Sequence, residues 1–432
     1  AAAAQAVIRQ ARIQLSALAG GAAPLVERAN ALAHRMGGAE ALLTPAPMAQ
    51  VRTDYVAFLR EALRFSEADA AAVRARPAHE RRLIQDTNGG SAGVIASEAA
   101  EAFGFEAVLL HDALGHAAHA IEPVGEALAD AKAAVAASRA GVGAVFDYDA
   151  DRATLILRQA GGEVAELDPQ DTALAGVAAM LAWVRRHPGR YPEAHGKRWA
   201  VVAHDATSSR VSDFCERLGV ELVEVEVGET NVVTRMQELE REGYFVPIGI
   251  EGGNGGVVLR GSEVRDGVLI SQLFGLVGDD PLLRDALRHS YHTIAQDRTL
   301  SEDPGRLSTG LEAAFEREVQ RAADGTFTLP GIPGVFVAYA FRSSEETRVL
   351  EGRGNRRSGT GGFKILLTDA RGRRHFLWCR GSKTEAGTFR FLADSPDRAV
   401  AEALAQFQQR LLLGRSAPPA EIASLQDRAF RI

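Results

Sequence analysis

Cys215 and Cys379 are the only thiols in 432 residues, and no apolar run reaches the roughly 18 residues that a bilayer span requires. Both cysteines sit in apolar strand or helix contexts. That predicts two buried free thiols in a reducing compartment, rather than a disulfide or a metal site. No signal-peptide pattern is visible, so a cytoplasmic protein without membrane contact is expected. Neither sign of charge dominates: 49 Lys and Arg against 56 Asp and Glu leave a net charge of −7, and the two signs are interspersed. This excludes a dedicated nucleic-acid surface and leaves room for local basic pockets. The chain opens Ala-Ala-Ala-Ala without an initiator Met, as expected of a processed, truncated or incompletely assigned start.

The remaining composition, 46% hydrophobic and 24% charged, is that of a globular protein. The length exceeds what one core supports, so two to four domains are expected. Residues 1–80 are rich in Ala, Leu and Arg and predict helices, with Pro45 and Pro47 as the break between two of them. From 81 the pattern changes. Strands at 82–86, 107–110 and 145–146 alternate with helices near 94–103 and 126–140. The same order restarts at 198–204, continues through 220–227 and a helix at 232–242, and ends in a helix from about 265. A polar connector with helical pieces is expected over 285–332. Consecutive strands and a last helix at 397–412 close the chain. The expected fold class is α/β: two similar three-layer α/β domains (81–197 and 198–332 with its connector), then a small α+β domain (333–432), preceded by a helical segment (1–80).

Three loops carry the candidate chemistry. Asp147-Tyr-Asp-Ala-Asp-Arg152 places Asp147, Asp149 and Asp151 at alternating positions between two apolar strands. Their mutual repulsion is relieved by a divalent cation, and hard oxygen ligands favour magnesium or calcium. A solvated acidic hairpin turn is the alternative. Arg380-Gly-Ser-Lys-Thr-Glu385 joins two strands and offers Arg380, Lys383, the Ser382 and Thr384 hydroxyls and backbone amides to a phosphate. An ordinary polar turn is the alternative here too. Glu251-Gly-Gly-Asn-Gly-Gly256 permits close backbone approach to a ligand, yet matches neither a phosphate-binding P-loop nor a dinucleotide fingerprint. His111, His116 and His119 cluster near Asp112, but their spacing fits no standard metal site. Arg353, Arg356 and Arg357 read as a solvated loop. Thr207-Ser-Ser-Arg reads as a helix cap.

The order and spacing of the three loops resemble the α-D-phosphohexomutase superfamily, the phosphoglucomutases and phosphomannomutases. Asp147, Asp149, Asp151 and Arg152 match that family's metal loop, with Tyr148 where glycine is usual. Arg380, Ser382, Thr384 and Glu385 match its phosphate loop, with Gly381 and Lys383 as departures. Asp86-Thr-Asn-Gly-Gly, Ser208-Ser-Arg, Val227-Gly228 and Arg265-Asp-Gly are supporting matches. The resemblance implies Mg2+ on the three aspartates and a catalytic Arg152. It also implies phosphate held by Arg380, Ser382, Lys383 and Thr384, sugar read by Glu251 and Asn254, and a hexose phosphate as ligand.

Two departures qualify what is implied. The sugar loop keeps only Glu251 and Asn254 as polar side chains. The family's first domain, whose serine carries the phosphoryl group, is mostly missing. Ile13-Gln-Leu-Ser-Ala-Leu-Ala-Gly20 echoes its loop, with Ser16 at the threonine position and Leu18 at the serine position. Two expectations follow. One is magnesium-dependent phosphoryl transfer on hexose phosphates, with Ser16 as the candidate hydroxyl. The other is a non-catalytic relative that binds phosphosugar or serves as a regulatory or assembly subunit. The helical amino terminus could also mediate a homo-oligomer or a protein partner.

Overall fold

The computed structural model of the protein describes residues 45–159, 161–278, 280–288, 291–299, 304–343, 362–381 and 388–413. Helix α1 (Pro45–Ala62) begins at Pro45. The two prolines therefore lie in its first turn, where a missing N–H costs nothing, and the helix expected before them lies outside the described residues. Helix α2 (Glu67–Arg74) starts on a capping box, in which Ser66 and Asp69 satisfy each other's backbone amides.

The first sheet is built from β1 (Arg82–Asp86), β2 (Glu106–Leu110), β3 (Val142–Phe146), β4 (Ala153–Arg158) and β5 (Val164–Glu166), in the order β2-β1-β3-β4-β5. Helices α3 (Ala96–Ala102) and α4 (Ala129–Ser138) connect its parallel strands. The chain then forms α5 (Pro169–Arg186). The second sheet comprises β6 (Trp199–His204), β7 (Glu221–Val225), β8 (Phe245–Glu251) and β9 (Gly256–Leu259), in the order β7-β6-β8-β9. Helices α6 (Ser209–Arg217) and α7 (Glu229–Arg241) make its crossovers. In both sheets the first three strands are parallel and the fourth returns antiparallel through a tight hairpin. The duplicated α/β pattern is therefore present over four strands of each sheet, with β5 as an addition to the first.

Side chains alternate between two cores along the central strands, as the period of a strand requires. Leu83 and Val201 face a large shared core, while Ile84 and Val202 face outer cores against α4 and α7. Two buried helices fill the shared core: α5 and α8 (Gly267–Val277). Each packs against the other's sheet. Gly176 of α5 abuts Val257 and Ile248 of the second sheet, and Gly275 of α8 abuts Phe105 and Leu83 of the first. Nothing in the sequence pattern above marks α5. All of residues 169–184 except Asp171 are buried, so the helix is apolar around its whole circumference and carries no amphipathic period.

Helix α9 (Pro281–Arg288) leads to an antiparallel seven-stranded sheet. It contains β10 (His292–Thr299), β11 (Gln320–Arg321), β12 (Phe327–Thr328), β13 (Phe336–Ser343), β14 (Phe363–Asp369), β15 (Arg374–Gly381) and β16 (Thr388–Ser395). Helices α10 (Pro304–Glu318) and α11 (Arg398–Leu413) cover one face. Residues 285–332 are thus more than a connector: β10 pairs with β16 along its full length, and β11 and β12 extend the opposite edge. The polar, broken pattern of His292–Thr299 hides an edge strand whose exposed side has no need of apolar residues.

Both cysteines are buried and free, as expected, and burial pushes each thiol up to about 12. Among the described residues, no helix is long and apolar enough to cross a membrane.

One buried carboxylate ties the third sheet to the second. Asp394, on β16, accepts hydrogen bonds from Ser208 Oγ at 2.8 Å, Thr293 Oγ1 at 2.8 Å and the Ser209 N–H at 2.9 Å. Ser208 also caps α6, the role read for Thr207-Ser-Ser-Arg. Removing the carboxylate leaves two buried donors, Ser208 Oγ and the Ser209 N–H, and the half-buried Thr293 hydroxyl unpaired. Asp394→Ala is therefore expected to destabilise the protein by about 2–4 kcal/mol. In a urea titration followed by fluorescence and circular dichroism, its third sheet should unfold ahead of the rest. A single transition at the wild-type midpoint would refute the coupling.

Candidate functional site

The duplication sets the site. The acidic loop is the β3–β4 hairpin, and the glycine-rich loop is the β8–β9 hairpin, so the two are structural counterparts. Both project from the carboxyl ends of parallel strands, where open α/β sheets present their ligand crevices.

In the first hairpin, oxygen atoms of Asp147, Asp149 and Asp151 all lie within 4.8 Å of one another. Ala150 holds a left-handed φ of 61°, which turns the loop back on itself. Asp147 is buried, and this pushes its carboxyl up to about 7 even though Arg152 stands beside it. The Arg152 Nε–H donates to Asp147 at 2.7 Å. Its two terminal nitrogens grip Glu122 at 3.0 and 3.1 Å. Asp151 Oδ1 is buried without a hydrogen-bond partner among the described residues.

In the second hairpin, Glu251 is 2% exposed, and its carboxylate accepts from Asn254 at 3.0 Å and Arg265 at 2.6 Å. Burial opposes its charge, and neighbouring His204, then Arg265 and Asn254, outweigh that cost, so its pKa is lowered from the usual value. The glycine-rich turn rests on His204, whose Nε2 accepts the Gly253 N–H at 3.3 Å, and on Thr207, whose Oγ1 accepts the Gly252 N–H at 3.2 Å. Burial pushes His204 below its ordinary value, which suits a neutral ring accepting that amide.

Arg265 joins the hairpins. One terminal nitrogen holds Glu251 and the other holds Asp151. The next two residues continue the junction. Asp266 caps α8 and accepts both contacts of the Tyr55 hydroxyl at 2.8 Å. The Gly267 N–H donates to Ala150 O at 3.0 Å. A side chain at Gly267 would come within 2.7 Å of the Arg152 backbone, so only glycine allows this approach.

A cavity of about 490 Å³ opens between these hairpins and the third sheet. Asp147, Asp149, Asp151, Arg152, Asn254 and Arg380 all line it. Glu251 lies beneath the wall, on Arg265. Ser16, Ser382, Lys383 and Thr384 lie outside the described residues, as do Arg353, Arg356 and Arg357. Sequence reasoning assigned no role to Arg265, His204, Glu122, Trp378 or Arg390. Arg390 had a usable signal, because it is out of phase with the buried Phe389 and Phe391 on one strand. It sits directly opposite Arg380 in the β15–β16 register. Two guanidinium groups in opposed positions repel; Asp297, 3.7 Å from Arg390 Nε, offsets part of that cost, and an anion bound between them would offset more.

The described chain has the fold of known phosphohexomutases. A phosphoglucomutase/phosphomannomutase family protein from Burkholderia thailandensis superposes with a TM-score of 0.53 at 16% identity. The match covers 84% of this chain and 64% of that one. The open form of parafusin, a phosphoglucomutase from Paramecium, superposes with a TM-score of 0.56 at 14% identity, covering 85% and 64%. The chain thus spans just under two thirds of either. No curated protein matches it in sequence.

Asp205, at the end of β6, is buried, and burial pushes its carboxyl up to about 7 despite Lys364 nearby. The unfolded value is about 3.9. The folded state therefore holds this proton more tightly, and its contribution to stability is lost as pH rises from about 4 to about 7. Asp266, pushed up to about 6, acts in the same direction. In chelator, Asp205→Asn is expected to flatten the fall of Tm between pH 5 and 8, by on the order of 3 kcal/mol. An unchanged slope would contradict this burial effect.

Residues 177–275, from the middle of α5 to near the end of α8, match the family model for phosphoglucomutase/phosphomannomutase α/β/α domain III. That stretch carries the family's domain III, and the described chain as a whole shares the fold of its solved members.

Proposed function

We propose that the chain binds a hexose phosphate in this cleft, with magnesium at the acidic hairpin, and that its chemistry is phosphoryl transfer of the phosphohexomutase type. The carrying observation is a single cavity with three convergent carboxylates on one wall and the opposed pair Arg380 and Arg390 on another. The donor set suits the ion. Three hard oxygen ligands converge, and one oxygen of Asp151 is buried with no hydrogen bond among the described residues, only an ion-pair contact of 3.4 Å from Arg152 Nε. Asp147, Asp149 and Asp151 would hold magnesium, which when bound neutralises charge on a transferring phosphoryl group.

The chain's own residues supply the rest. Arg380 and Arg390 seat the phosphate that does not react, and by resemblance Ser382, Lys383 and Thr384 complete that seat. Asn254 reaches the sugar, with Glu251 fixing its amide. Arg152 is held by Asp147 and Glu122 and places a fixed positive charge beside the reacting oxygens. Transfer also needs a carrier hydroxyl, for which Ser16 is the candidate in this chain.

A second reading, binding without turnover, is favoured by the engagement of Glu251. It is buried and committed to Arg265, which leaves Asn254 as the polar side chain of that hairpin lining the cleft.

Interconversion of hexose 1- and 6-phosphates with magnesium, together with intact mass after exposure to a hexose bisphosphate, separates the two. Turnover with a stable mass increase supports transfer. Binding without either supports the second reading, and no binding of a hexose phosphate overturns both. Arg380→Ala should weaken that binding roughly ten- to a hundredfold, the worth of a charge-assisted hydrogen bond of about 1.5–3 kcal/mol.

A further inference from the structure

A second cluster lies at the adjoining strand ends of the first sheet. Asp86 ends β1, His111 follows β2, and His119 stands in the loop after it. The sequence reading grouped His111 and His119 with His116 and Asp112 and found no standard spacing. The structure leaves His116 exposed and brings in Asp86 from 25 residues before His111. Ligand atoms of Asp86, His111 and His119 lie within 4.8 Å of one another, and Asp86 is fully buried.

Proton counting exposes what the cluster needs. His111 meets a carboxylate at each ring nitrogen: Asp86 Oδ2 is 2.9 Å from Nδ1, and Asp130 Oδ2 is 3.3 Å from Nε2. His119 meets the Ala120 carbonyl at 2.9 Å from Nδ1 and Asp86 Oδ1 at 3.3 Å from Nε2. All four nitrogens thus face acceptors, while two neutral imidazoles carry only two N–H groups. Two of the four contacts are therefore left without a proton, and either added protons or one divalent cation would fill them. His119 Nε2 is buried and makes no well-formed hydrogen bond among the described residues. A proton there would have no well-aligned acceptor, whereas a lone pair there points into the cluster.

The outer contacts are those of metal-bound histidines. A ligating imidazole typically donates its second N–H to a carboxylate or a backbone carbonyl. Asp130 and the Ala120 carbonyl stand where those acceptors belong. Asn88 builds the loop around them: its Oδ1 accepts the Ala118 and His119 amides at 2.8 and 3.1 Å, and its Nδ2 donates to the His119 and Ala120 carbonyls at 3.2 and 3.3 Å. Its own N–H donates to Asp86 Oδ1 at 3.0 Å.

We infer that Asp86, His111 and His119 form a second metal site, separate from the acidic hairpin, for a borderline transition ion of the zinc class. Two imidazoles and one carboxylate suit zinc, with water as the fourth ligand. The site orders the loop that carries Glu122, the residue gripping Arg152. It does not depend on the hexose phosphate reading.

The test is calorimetric titration of the metal-stripped full chain with zinc chloride, in saturating magnesium, with cobalt(II) absorption as the spectroscopic check. One zinc per chain is expected, with tetrahedral cobalt bands. His111→Gln and His119→Gln should each weaken zinc binding more than tenfold while circular dichroism stays native. Asp130→Asn, at an outer nitrogen, should weaken it roughly tenfold. Asp149→Ala should leave it intact. Wild-type affinity in both Gln variants, or no zinc bound over the magnesium background, overturns the site in favour of two protonated histidines. Loss of zinc in Asp149→Ala would place the ion at the acidic hairpin and likewise overturn it.

Discussion

Arg265 is shared by two hairpins that grow from different sheets, and the cleft takes its shape from that sharing. One end of its guanidinium holds Asp151 and the other holds Glu251. Its planar fork suits two carboxylates at a fixed separation, which an ammonium group could not hold in register. The same three-residue step fixes the backbone. Asp266 caps α8 and takes the Tyr55 hydroxyl, and Gly267 lets the helix start against the acidic loop. Carboxylates that would repel are thereby held in place by a cation the chain supplies itself. The acidic hairpin is pre-organised because its neighbour in the duplication anchors it.

The exchange of helices gives this junction its rigidity. Helix α5 leaves the first sheet and packs on the second, while α8 leaves the second and packs on the first. Separating the sheets would expose both helices on their most apolar faces, at about 25 cal/mol for each Å² uncovered. The two α/β units therefore move as one body on energetic grounds. The third sheet is attached by mostly polar contacts: Asp394 on α6, Lys364 on Glu224, Arg374 on Asp213 and Glu216, and a small apolar patch around Ala206, Phe376, Trp378 and Leu392. Relative motion in this molecule is cheapest between the third sheet and the other two. That is also where the cavity lies.

Much of the site was legible in the sequence because its chemistry is local. Three aspartates in five residues, and one arginine at a strand end, name themselves by spacing. The duplicated strand order was legible for the same reason, since a period of two persists through each short run. The contributions of Arg265, His204 and Arg390 were not, because each depends on which strand lies next to which. Arg390 becomes meaningful only through its register with Arg380. Helix α5 escaped notice because a helix buried on all sides has no polar face to reveal its period. Strand β10 escaped because an edge strand under a mixed surface has no apolar alternation to offer. Asp86 escaped because its partners approach through parallel strand pairing, at a separation no motif encodes.

The electrostatics of the cleft run against the ease of folding, and that asymmetry is informative. Asp147 and Asp205 are both buried deeply enough to be pushed up to about 7. Across from Asp147, Arg380 and Arg390 stand opposed, with Asp205 on their side of the cleft beside Lys364, and burial pulls Arg380 below its ordinary value. Burial of Asp147 and of Arg380 costs stability in the empty protein, whereas Arg390 is exposed and lies 3.7 Å from Asp297. Either cost falls when an ion of opposite sign arrives, a cation on the acidic wall and an anion on the basic one. A ligand that brings both, as a metal-bound phosphate ester does, relieves both at once. Each wall is already partly neutralised by the chain itself, by Arg152 and Arg265 on the acidic side and by Asp297 beside Arg390 on the basic one, so what a ligand can relieve is the remainder of that cost.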